Sequence, residues 1–136
     1  MIKKLWIDNF KAFNNLDVQL NPINVIVGNN ASGKSSLLFV LSFLSNSTKN
    51  DFSDFLDKRH LKVDNIKSKF NPTNNLIKFI IDFEVLVNDE VKKLNWGLYI
   101  NADVKSNTVE LAEDWVSDIN EDYLRYNRNE KIFNRR

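Results

Sequence analysis

The chain has 136 residues, 43% of them hydrophobic and 27% charged, with a formal net charge of +1. Those values describe an ordinary globular domain long enough to bury a core, and the near-neutral balance neither demands nor excludes a nucleic-acid partner. The absence of cysteine excludes a disulfide framework and any thiolate metal site, and fits a reducing, cytoplasmic compartment.

The N-terminal segment is not a signal peptide, because its apolar stretch is short and is broken by Asp8. Residues 3–9 alternate loosely and predict a strand, and 10–15 predict a turn. Leu16, Val18 and Leu20 alternate with polar residues and predict a second strand. After the break at Asn21-Pro22 comes Ile23-Asn24-Val25-Ile26-Val27, a β-branched run typical of a buried strand. It leads directly into Gly28. From Lys34 to about Leu44 the pattern is helical and apolar nearly all round, which calls for cover on every side. Its longest apolar run, 37–41, is far short of the roughly 20 residues that span a bilayer, so no membrane association is expected.

Residues 46–75 are polar and irregular, with a short helix predicted from the spacing of Phe52, Phe55 and Leu56. The period then changes to two. Ile77, Phe79, Ile81, Phe83, Val85 and Val87 share one face, and after Asn88-Asp89 so do Leu94, Trp96, Leu98 and Ile100. This predicts an antiparallel hairpin over 76–87 and 91–101. Weaker strands are predicted at 108–113, 122–127 and 130–134, with turns near Ser106-Asn107 and Arg128-Asn129. With few Gly and Pro and much Asn, the turns are expected to rely on Asn.

Gly28-Asn29-Asn30-Ala31-Ser32-Gly33-Lys34-Ser35 is a full match to G-x-x-x-x-G-K-[ST], the phosphate-binding loop. Each part has a physical task. The glycines allow backbone angles and close approach that a side chain would block. Successive N–H groups from about Asn30 through Ser32 and Gly33 to Ser35 can form an anion-binding nest, and the start of the helix adds its own unpaired N–H groups and dipole. Lys34 supplies positive charge for the β- and γ-phosphates and is the candidate catalytic residue. The Ser35 hydroxyl is the candidate Mg²⁺ ligand. Chance alone gives on the order of one such match per two hundred chains of this length, and the strand before and helix after lower it further. The expected ligand is ATP with Mg²⁺.

Residues 6–13 (Trp-Ile-Asp-Asn-Phe-Lys-Ala-Phe), 20–27 and 28–38 together resemble the N-terminus of ABC-type ATPases of the SMC, RecF and OLD kind, including bacterial AAA-family ATPases of defence systems. The likeness is close over 2–45 and topological only over 76–136. It implies an α/β fold, the N-terminal lobe of a P-loop NTPase. The divisions expected are 1–45 for the nucleotide-binding strands, loop and helix, 46–75 for an insert, and 76–136 for an antiparallel β subdomain. It also places Lys11 and Ala12 near the phosphates and Phe13 towards the adenine. The candidate cofactor-binding residues are then Lys11, Ala12, Phe13, Gly28, Asn30, Ala31, Ser32, Gly33, Lys34, Ser35 and Ser36. Asn29 and Ala31 depart from the commoner Pro and Gly of the family, and Ala31 narrows the backbone angles available there.

Hydrolysis needs an acidic residue on Mg²⁺ and a group that orients water. In the family these come from a strand ending in Asp-Glu and from a signature loop of a second subunit. No signature segment is present. Asp82 and Glu84 fall on the polar face of a two-period strand, as solvated residues do, and are rejected as that pair. The chain is therefore expected to be the first lobe of an ATPase and not to hydrolyse ATP alone. Its expected partner is a second lobe of the same protein or of another chain, in an ATP-sandwiched homodimer, with DNA repair or antiviral defence as the setting. A nucleotide-dependent interaction module without hydrolysis is the alternative, and a small P-loop kinase ranks lowest.

Other residues carry blander readings. His60 lacks partners and reads as a surface residue at a helix end. Glu110, Glu113, Asp114, Asp118, Glu121 and Asp122 are irregularly spaced and read as a solvated edge. The basic tail Arg125, Arg128, Lys131, Arg135 and Arg136 is a candidate nucleic-acid contact, or equally a charged edge that discourages pairing. Trp6, Trp96 and Trp115 read as core or half-buried strand residues.

Overall fold

The structure is a computed structural model that describes residues 1–47, 52–119, 125–127 and 132–134. Its frame is a seven-stranded antiparallel sheet in the order β2-β1-β3-β4-β5-β6-β7. The strands are β1 (Ile2–Asp8), β2 (Leu16–Gln19), β3 (Leu76–Val87), β4 (Glu90–Asp103), β5 (Thr108–Asp118), β6 (Arg125–Asn127) and β7 (Ile132–Asn134). Helices α1 (Lys34–Ser47) and α2 (Phe52–Asp57) and a 3-10 turn (Val63–Asn65) lie in the connection from β2 to β3.

The two-period pattern of β3 and β4 becomes a hairpin with Ile77 opposite Ile100, Phe79 opposite Leu98 and Ile81 opposite Trp96. All of these are buried except Trp96, which is half-buried, as is Phe83. The turn is Asn88-Asp89, both with positive φ (50° and 64°), as a two-residue turn between right-twisted strands requires. Asn9, Asn15 and Asn107 also have positive φ, so Asn does carry much of the turn chemistry.

β1 pairs with β3, so the N-terminal strands and the later meander form a single sheet. Leu5 and Ile7 complete its inner face. Phe43 of α1 packs on that face against Phe79 and meets Phe10, Phe52 and Phe55, with ring centroids 5.2–5.8 Å apart. Burying each such ring contributes roughly 1.5–3 kcal/mol, and this cluster fixes α1 to the sheet. Val63 and Ile66 are also buried, so the insert contributes more core than its polar sequence suggests.

The expected strand at 23–27 is not formed. Residues 24–29 have no regular structure, and Ile23, Val25 and Val27 are 83–85% exposed. A strand draws its hydrogen bonds from neighbours, and no described strand pairs with this run. The helix after it is buried on one side only, at Val40, Phe43 and Leu44, while Leu38 and Leu41 are exposed.

A second correction concerns the acidic residues of β5. Asp114 and Asp118 are buried, and Asp114 accepts a hydrogen bond from Trp96 Nε1 at 2.7 Å. A bulge between Tyr99 and Ile100 pairs Ile100 with Leu111 but Tyr99 with Glu113. It shifts the alternation by one, so Asp114 shares the inner face with Val109 and Leu111. Glu110 stays exposed and Glu113 is half-buried, while Glu121 and Asp122 lie outside the described residues. So do the turn at Arg128-Asn129 and, of the basic tail, Arg128, Lys131, Arg135 and Arg136.

Candidate phosphate-binding site

The site is assembled from the turn after β1 and the loop before α1. In the turn, Phe10 and Phe13 exchange backbone hydrogen bonds of 3.0 and 2.8 Å. The reversal needs positive φ at Asn9 (59°) and Lys11 (50°). The insert holds it from outside. Lys11 N–H donates to the Ile66 carbonyl at 2.7 Å, and Ser68 N–H donates to the Asn9 carbonyl at 3.1 Å. The Asn9 side-chain amide donates to the carbonyls of Asn74 (2.7 Å) and Leu76 (3.0 Å).

The loop ends where α1 begins, at Lys34. The first backbone bond of the helix runs from Leu37 N–H to the Gly33 carbonyl, 3.0 Å. The N–H groups of Lys34, Ser35 and Ser36 therefore precede the helical ladder and are free to meet an anion. A Cβ on Gly28 would lie 2.6 Å from Ser32 Oγ, a contact that rotation of the serine side chain can relieve. Gly33 is required by conformation, with φ of +93°. Ala31 also has positive φ, 67°, an angle that strains any residue with a side chain. Lys34 Nζ folds back across the mouth of the loop, donating to the carbonyls of Gly28 (2.5 Å) and Asn29 (2.6 Å), with Ser32 Oγ at 3.4 Å.

The cavity enclosed is about 200 Å³, lined by Ala12, Asn30, Ala31, Gly33, Lys34, Ser35 and Ser36. That is smaller than a typical small-molecule site. It matches phosphate groups, with the rest of a nucleotide outside. Its donors suit them as well: helix-start N–H groups, an ammonium and hydroxyls. Ser35 offers a hydroxyl to a divalent cation. Among the described residues, no group of three or more His, Asp or Glu is arranged to hold a metal.

Of the three residues expected beside the nucleotide, only Ala12 lines this cavity. Phe13 is buried beneath the loop, where a Cβ on Gly33 would come 3.0 Å from its ring. Lys11 turns away, with Nζ 4.2 Å above the Phe39 ring. Partial burial lowers its pKa from the usual lysine range.

Asp82 accepts a hydrogen bond from the Asn95 amide, and Glu84 pairs with Lys3 at 2.9 Å. His60 is exposed, one turn beyond α2, with its N–H bonded to the Asp57 carbonyl at 3.0 Å. A larger cavity of about 690 Å³ lies beside the 64–75 segment and the β4–β5 turn. Most of its charged groups are already engaged: Lys67 Nζ with Pro72 O and Asn75 Oδ1, Lys69 with Asp64, and Asp103 with Ser106.

The family model of the AAA ATPase domain matches residues 1–135. The chain belongs to that family. This ATPase domain is related to the DNA replication and repair protein RecF. The RecF of Clostridium acetobutylicum is 38% identical over 45 residues, 32% of this chain and 12% of that protein. The RecF of Haemophilus ducreyi is 34% identical over 77 residues, 54% of this chain and 21% of that protein. The matched segments thus span about a fifth or less of these relatives. The resemblance to ATPases of the SMC, RecF and OLD kind is borne out. No helix among the described residues is long and apolar enough to cross a membrane.

Proposed function

We propose that this ATPase domain binds the phosphates of ATP with Mg²⁺ in the loop 28–36, as the N-terminal lobe of a RecF-like ATPase. The observation that carries this reading is the position of Lys34. Its ammonium rests on two carbonyls of its own loop, beside helix-start N–H groups and within a small polar cavity. A phosphate would exchange those neutral acceptors for charged ones and add Coulomb attraction to the hydrogen bonds. Ser35 would hold Mg²⁺, which would supply neutralisation of phosphate charge.

The remaining parts of a hydrolytic site would come from elsewhere. Asp82 and Glu84 are committed to Asn95 and Lys3. The exposed run 23–27 supports a second lobe that adds strands beside it, in the same protein or in another chain, with ATP held between two copies. DNA repair and antiviral defence are the settings proposed, with DNA as the nucleic-acid candidate.

Calorimetric titration of the protein with MgATP tests the binding. Lys34→Ala is expected to weaken affinity at least about tenfold, in line with the loss of a charge-assisted contact. Ser35→Ala is expected to abolish the difference between titrations with and without Mg²⁺. Undiminished affinity in Lys34→Ala would overturn the assignment.

A further inference from the structure

We infer that the turn 9–13 is the rest on which the phosphate loop is set, and that Asn9 and Phe13 are positioning residues for phosphate binding. The inference rests on the nucleotide-binding reading above and extends it to residues that touch no phosphate.

The first observation is a contact. The edge of the Phe13 ring lies under Gly33, so close that a Cβ would be 3.0 Å from Cε1 and 3.5 Å from Cζ. Gly33 ends the loop, with φ of +93°, and the next residue opens α1. The depth and angle at which Lys34, Ser35 and Ser36 present their N–H groups therefore depend on where the ring stands. Loops move easily at glycine, but a buried ring beneath this one removes that freedom on its inner side.

The second observation is what holds the ring. Phe13 closes a tight turn whose other end is Asn9, and Asn9 is fully buried. Both donors of its amide are spent on the carbonyls of Asn74 and Leu76, while Oδ1 is buried without a hydrogen-bond partner. A buried carbonyl left unpaired has a cost, so the residue serves for its donors and for its tolerance of positive φ. The chain of contacts runs from the start of β3, through Asn9 and the turn, to Phe13 and then Gly33. It joins the insert and sheet to the phosphate loop without passing through α1.

The test measures binding of a fluorescent ATP analogue with Mg²⁺ to the full chain, at a temperature where every variant is folded by circular dichroism. Asn9→Gly keeps the backbone angle and removes the donors, and Phe13→Leu keeps an apolar residue and removes the ring edge. Ile100→Val, on the buried sheet face and away from the loop, serves as a variant that only loosens the core. Lys34→Ala marks the loss of direct phosphate contact. The expected result is binding weakened roughly tenfold in Asn9→Gly and in Phe13→Leu, since displaced N–H donors lose part of their charge-assisted contact with phosphate, with Ile100→Val unchanged.

Wild-type affinity in Phe13→Leu, together with loss in Lys34→Ala, would overturn the inference and leave the phosphate site standing. Equal weakening in Ile100→Val would overturn it too, by assigning the effect to general stability. Absence of binding by the wild type, or equal binding by Lys34→Ala, would overturn the nucleotide reading itself. If Asn9→Gly does not fold, Phe13→Leu decides the matter alone.

Discussion

Ala31 and Gly33 both adopt positive φ, 67° and 93°, but only one of them is a glycine. A left-handed conformation costs a residue with Cβ roughly 1–2 kcal/mol. Ala31→Gly is therefore expected to stabilise the fold by up to about 1 kcal/mol, the remainder being offset by the greater freedom of glycine in the unfolded chain. Ala31→Val, β-branched at the same angle, should destabilise it, and thermal unfolding of the pair checks both signs. A melting temperature unchanged in both would mean that the loop bears no strain. At this scale the sequence announced the candidate phosphate loop because its residues are contiguous: spacing alone defines 28–35. It did not announce Asn9, whose hydrogen-bond partners Asn74 and Leu76 lie far along the chain. The side-chain position of Lys11 was not legible for a related reason. A position beside a motif says where the backbone goes, not that its ammonium will rest on Phe39.

Strands β3 and β4 were legible because their apolar residues alternate without interruption and their turn residues accept positive φ. β5 was legible only up to its bulge, beyond which one added residue reverses inside and outside and buries Asp114. Gly97 in β4 was unremarkable as sequence, yet it faces Trp115 across the sheet, and a Cβ there would lie 2.2–2.5 Å from the indole. Gly97→Ala is expected to destabilise the protein by about 2 kcal/mol, within the range for overpacking. Adding Trp115→Leu should recover part of that loss. Denaturant melts of the single and double variants measure it, and additive losses would refute the steric account. The β4–β5 turn gives a pH prediction. Asp103 accepts hydrogen bonds from Ser106 Oγ (2.9 Å) and Lys105 N–H (3.0 Å). These hold its carboxyl below the usual aspartate value of 3.8, the Ser106 bond being the larger cause. A depressed folded pKa gives stability that is complete above the unfolded value and is lost as pH falls through the folded one. Asp103→Asn should therefore lower the melting temperature slightly near pH 7, where the wild-type carboxylate is ionised, and the difference from wild type should close as pH falls below about 4.

At the scale of the molecule, a single sheet carries both the strands that precede the phosphate loop and the meander that follows it. The unpaired run 23–27 stands beside this sheet with its β-branched residues in water. Exposed apolar edges of this kind invite pairing. The isolated chain is expected to self-associate, and Val25→Lys to reduce that association in sedimentation measurements without lowering the melting temperature. The sequence suggested a buried strand here because β-branched residues record the surroundings in which a segment works, and those surroundings are not supplied by the described residues. The order β2-β1-β3 has a kinetic consequence. The contacts of β3, β4 and β5 are local and can form early, whereas β1 joins β3 only after the whole intervening stretch has been drawn closed, Ile7 meeting Phe79. Closure of that kind is slow because chain entropy is lost before the distant contacts repay it. The phosphate loop lies inside that stretch, so it acquires its shape late, after the meander has given β1 an edge to find. In stopped-flow refolding, Leu98→Ala should mainly slow folding, while Val40→Ala in α1 should mainly speed unfolding.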